Sequence, residues 1–134
     1  MISLDSPLFL RRVLLADAAA SGATGLLMSL GAQSLEPLLG LPAALVQAAG
    51  LVLLPFAALV AWVATRRPIR HGGVWAIIVV NGIWVVDSIG LLLSGWVAPT
   101  ALGYAFVLAQ AIVVAVFAEL EFTAVRRPRA AAAY

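Results

Sequence analysis

Apolar residues fall in four long blocks, at about 13–31, 43–65, 74–97 and 101–123. Short breaks rich in Pro, Gly or Arg divide them. A helix needs ~20 mostly apolar residues to cross the hydrocarbon core of a bilayer, and each block meets that length. The pattern predicts an all-α fold: a bundle of four transmembrane helices forming a single integral membrane domain over residues 1–134, with a basic tail at 126–134. Ser6-Pro7 reads as an N-cap followed by Pro at the first helical position. Glu36-Pro37 reads as a turn inside a loop over 32–41, and Pro42 opens the second helix. Pro55 removes one backbone donor from that helix and predicts a kink. Asp17 inside the first block argues against a cleaved secretory signal.

Polar positions within the blocks are few and ordered. In the first, Asp17, Ser21, Thr24 and Met28 share one helical face, and Ala18, Gly22, Gly25 and Ser29 make a small-residue stripe beside it. Such stripes let membrane helices approach closely. In the third, Asn81, Trp84, Asp87 and Ser88 fit one arc. An ionised carboxylate at mid-membrane costs roughly 3 kcal/mol on insertion scales, so that arc is expected to face a protein interior or a cavity. By depth, Asp17 lies level with Asn81, and Asp87 level with Gln47 or Tyr104, with Gln110 between the two levels.

Composition agrees with the pattern. The chain is 64% hydrophobic and 10% charged, with mean hydropathy +1.11, where a soluble domain carries about 25% charged residues. The formal charge of +2 does not indicate nucleic acid, because the basic residues sit at the expected membrane edges. All eight are Arg, at 11 and 12, in the 66–70 loop and at 126–129. With four spans these regions share one side, and the positive-inside rule places both termini in the cytoplasm. Trp62, Trp75 and Trp96 fall near helix ends as an aromatic belt. Glu119 and Glu121 are expected to pair at the interface with Arg11, Arg12 or the 66–70 loop, and His71 to sit in that loop.

Cys is absent, which removes disulfides, thiolate metal ligation and a Cys nucleophile, and one His does not supply two haem ligands. No spacing matches a nucleophile–base pair, a phosphate loop or a metal cage, so no cofactor, metal or enzymatic activity is expected. The expected partners are the lipid bilayer and further copies of the chain or a larger membrane complex. Two hairpins show internal likeness. Gly25-Leu26-Leu27-Met28-Ser29 matches Gly90-Leu91-Leu92-Leu93-Ser94, and Arg66-Arg67-Pro68 matches Arg126-Arg127-Pro128. That pattern suggests a parallel duplication.

The run from Asp17 through Ser21-Gly22 to Gly25-Leu26-Leu27, then Asn81-Gly82-Ile83-Trp84 and Ser94-Gly95-Trp96-Val97-Ala98-Pro99-Thr100, resembles a group of small bacterial four-helix inner-membrane proteins. The resemblance covers most of the chain. It implies the fold and the membrane, and no activity. The residues themselves point to Asp17, Ser21, Gln47, Asn81, Trp84, Asp87, Ser88, Tyr104 and Gln110 as lining a path or pocket for a small polar ligand or ion. A scaffold whose polar groups only hold helices together is the alternative.

Overall fold

The computed structural model describes residues 7–126. Among these there are four helices and no strand: α1 (Pro7–Leu39), α2 (Ala43–Ala64), α3 (His71–Ser94) and α4 (Ala101–Arg126). All four are long and apolar enough to cross a membrane. The chain is an all-α four-helix bundle of the multi-pass membrane class. The expected cap at Ser6 and the tail beyond Arg126 lie outside the described residues.

The helices are longer than the apolar blocks. α1 starts six residues before 13 and continues through Glu36 and Pro37 to Leu39, where a loop over 32–41 was expected. Pro37 removes the N–H that would donate to the Gln33 carbonyl, yet α1 continues through it and ends only two residues later. The reversal comes at Gly40, with φ 68°, and its N–H closes on the Glu36 carbonyl at 2.8 Å. A Cβ there would lie 2.7 Å from the Thr100 nitrogen, so the position needs Gly for space as well as for φ. His71 begins α3 instead of lying in a loop, and α3 stops at Ser94 because Gly95 adopts the left-handed conformation. α2 runs unbroken past Pro55.

The order around the bundle is α1, α2, α3, α4, with α1 packed on α2 and on α4, and α1 and α3 on a diagonal. The small stripe of α1 faces α2. A Cβ on Gly25 would sit 3.0 Å from Leu53 Cβ, and one on Gly50 would sit 2.6 Å from the Ser29 nitrogen. Backbone-to-backbone approach of this kind maximises dispersion contact where lipid removes any hydrophobic gain.

Two apolar clusters close the bundle. One, at the arginine-rich end, joins Leu10 and Leu14 of α1 to Val60 and Val63 of α2 and Val74 and Ile77 of α3. The other, at the opposite end, joins Met28 and Leu39 to Val46, Leu53 and Val107. α2 meets α3 at the arginine-rich end, where Val63 packs on Gly73, and the two diverge beyond it.

Polar contacts cap the ends. The Arg11 guanidinium donates to the carbonyls of Ala64 and, at 3.2 Å, Arg66, supplying charge and donors to the C-terminus of α2. At the other end Thr100 joins α1 to α4. Its N–H donates to the Leu39 carbonyl (3.0 Å) and its hydroxyl to that of Leu38 (2.7 Å), while the same hydroxyl accepts from the Gly103 N–H (3.0 Å). Thr100 therefore caps α4 and satisfies the last carbonyls of α1 at once. Trp62, Trp75 and Trp96 are all exposed near helix ends, and Trp75 meets Phe122 edge-on at 5.5 Å.

Candidate functional site

The polar side chains separate into three groups. The first is buried. Asn81 of α3 directs its amide nitrogen at two carboxyl oxygens, Asp17 Oδ2 of α1 at 2.9 Å and Glu121 Oε1 of α4 at 3.1 Å. Ser21, one turn along α1, donates to Asp17 Oδ1 at 3.1 Å. Asp17 is 1% exposed, Asn81 2% and Glu121 0%. Both hydrogens of the Asn81 amide are thus used, one for each acid. Glu121 Oε2 is buried with no partner. An unpartnered buried oxygen costs about 1–3 kcal/mol, and it is the one unsatisfied buried side-chain atom found among the described residues.

Glu121 overturns an expectation. It is buried and bonded to Asn81, and it pairs with no arginine among the described residues. It shares the α4 face of Val107, Ala111 and Val125, all buried, while Glu119 is exposed. The signal was in the sequence: 107 to 121 is 14 residues, close to four turns at 3.6 residues each. Arg11, the nearest expected partner, is instead occupied by the end of α2.

The second group is self-satisfied. Trp84 donates its indole N–H to Gln110 Oε1 at 2.5 Å. The Gln110 amide donates to Ser88 Oγ (3.0 Å) and to its own helix at Val107 (2.9 Å), and Ser88 donates to the Trp84 carbonyl (2.7 Å). Every donor in this set has an acceptor. Trp84 and Gln110 also form a partition. On one side lies a cavity of ≈ 230 Å³ bordered by Asp17, Ser21 and Thr24, and on the other a groove of ≈ 580 Å³ bordered by Asp87 and Ser88. Both residues line both spaces.

The third group is Asp87 alone. It is exposed and lines the groove. The outer polar level expected with Gln47 or Tyr104 does not form. Gln47 reaches across to the Ser29 carbonyl of α1 at 3.4 Å, Tyr104 is 42% exposed, and neither borders the cavity or the groove. Of the nine residues singled out in the sequence, Asp17, Ser21 and Asn81 meet in one cluster, Trp84, Ser88 and Gln110 in another, and Asp87 stands in the groove. Among the described residues no group of three or more His, Cys, Asp or Glu is placed to hold a metal ion.

In comparisons with protein-family models, curated proteins and solved structures, nothing matches this chain.

Proposed function

We propose that this chain is a bacterial inner-membrane protein, both termini cytoplasmic, that binds and passes a small cation, in the simplest case a proton, through the Asp17–Asn81–Glu121 cluster. The observation that carries the reading is the sharing of one amide nitrogen by two buried acids, with Glu121 Oε2 left over. Acids inside a membrane bundle mark ion and proton routes. A hydrogen or cation between the carboxyls would give Oε2 its partner. The cavity bordered by Asp17 and Ser21 gives the cluster an approach, and the Trp84–Gln110 partition stands where that approach meets the outer groove. The exposed apolar face of α3, including Val79, Ile83 and Val86, leaves room for association with further copies.

The test is flux. Purified protein is reconstituted into vesicles loaded with a pH-sensitive dye, and a potassium diffusion potential is imposed. Wild type should carry protons faster than protein-free vesicles. Asp17→Asn and Glu121→Gln keep size and hydrogen bonding but cannot exchange a proton, so both should fold and lose the flux. Repeating the measurement with a sodium-sensitive dye separates the proton from other small cations.

One observation favours a second reading. α1 and α3 lie on the diagonal and are tied through Asn81 and Asp17, as a scaffold clasp would be. In that case wild type carries no flux and the two amide variants match it in stability.

A further inference from the structure

The outer groove carries a second inference, independent of whether the buried acids bind a proton. Its walls are apolar side chains from α1 and α2 on one side, such as Met28, Leu45 and Ala49, and from α3 and α4 on the other. Into this apolar space projects one carboxylate, Asp87, which makes no hydrogen bond or ion pair with any described residue. Trp84 and Trp96 border the same space.

Asp87 lies seven residues before the end of α3 at Ser94, about 10 Å along the axis at 1.5 Å per residue. That is inside the hydrocarbon, where an unpaired carboxylate is costly and calls for a partner. Among the described residues none is supplied. Arg70, at the start of α3, is 17 residues away, about 25 Å of helix. Arg11 and Arg66 are held at that same far end, and Arg126 closes α4 there over Phe122. A second copy inserted in the same direction would put its own arginines at that end too.

We propose that the groove binds an amphiphilic monocation, its charged head at Asp87 and its apolar body against the aliphatic walls. The two indoles suit such a ligand, because an aromatic face attracts a cation that has left water. The volume of ≈ 580 Å³ falls within the range of small-molecule sites.

The experiment is equilibrium dialysis of the purified full chain, in lipid-free detergent micelles, against tetraphenylphosphonium. Tetraphenylborate, an anion of matched shape and apolarity, is the control. The expected result is saturable uptake of the cation, one per chain, and no saturable uptake of the anion. Asp87→Asn should weaken cation binding by about tenfold or more at unchanged melting temperature. Ala49→Phe, which fills the groove from α2 and leaves the carboxylate in place, should weaken it as well and covers the case in which the Asp87 variant does not fold. Asp17→Asn and Glu121→Gln should leave binding unchanged, so loss of proton flux and loss of cation binding are separate results. Equal uptake of both ions, or cation binding untouched by both groove variants, overturns the proposal and leaves the groove to lipid tails or an oppositely inserted second copy.

Discussion

The two hairpins carry similar sequences and are built differently. Gly25-Leu26-Leu27-Met28-Ser29 in α1 and Gly90-Leu91-Leu92-Leu93-Ser94 in α3 read almost alike. In α1 the glycine lies against Leu53 and the Gly50 carbonyl, and the neighbouring turn is in backbone contact with α2. In α3 the corresponding glycine meets nothing within 4 Å, and its helix ends one turn later. The difference lies in the opposing helix. α2 offers Gly50 opposite the α1 stripe, whereas the one buried glycine of α4, Gly103, packs on Leu39 of α1 and not on α3, and its other buried positions are Val107, Ala111, Glu121 and Val125. In lipid, apolar character alone does not bring helices together, and small residues facing one another allow the closest backbone approach. The first hairpin is a tight platform. The second holds looser helices and most of the polar groups.

Substitutions that add a single methyl should expose this contrast. The largest effects are expected where the close approach is to backbone. A Cβ on Gly103 would fall 1.9 Å from the Leu39 carbonyl oxygen, and one on Gly50 2.6 Å from the Ser29 nitrogen. Gly103→Ala and Gly50→Ala should each destabilise by about 3 kcal/mol, the upper end for overpacking, read as the midpoint of unfolding in denaturing detergent.

Next in size is the link between hairpins. Asn81→Leu removes the one donor that Glu121 has among the described residues and one of two to Asp17, leaving buried acceptors unmet. A loss of about 2–3 kcal/mol is expected in the same assay, and Asn81→Asp should not rescue it, since it adds a third acid where a donor is needed.

Thr100→Val keeps the shape and removes the hydroxyl that donates to Leu38 and accepts from Gly103. A loss of about 1 kcal/mol is expected, typical of an N-cap. The smallest effect belongs to Gly90→Ala, which meets open space. Better helix propensity should make it neutral or stabilising by up to about 1 kcal/mol. If Gly50→Ala and Gly90→Ala behave alike, the contrast between the hairpins is lost.

The fold was legible because four apolar blocks of bilayer length leave few other solutions. Their ends were less so. Pro37 looks like a stop, yet α1 continues past it without that donor to Leu39, and the true reversal needed the positive φ of Gly40. At the site, depth along each helix correctly put Asp17 beside Asn81, because rise per residue converts sequence directly into height. Rotation about each axis was harder to read. Gln47 and Tyr104 had the right height but face away from the groove, and Glu121 was assigned to the surface by its nearness to the Arg cluster. Only the phase of α4, counted from Val107, distinguishes it from Glu119.

The divergence of α2 from α3 has a consequence for supply. These two helices are neighbours on the perimeter, and the groove is bordered by Leu45, Val46 and Ala49 of the one and Val86, Asp87 and Leu91 of the other, so a ligand dissolved in the bilayer can meet it from the side. Whatever reaches Asp87 by that door has first dissolved in the bilayer. Each CH₂ moved from water to hydrocarbon is worth about 0.8 kcal/mol, which multiplies the concentration at the door about fourfold. Oiliness is therefore sorted by the membrane before the protein is met, and the groove needs to add only a choice of charge.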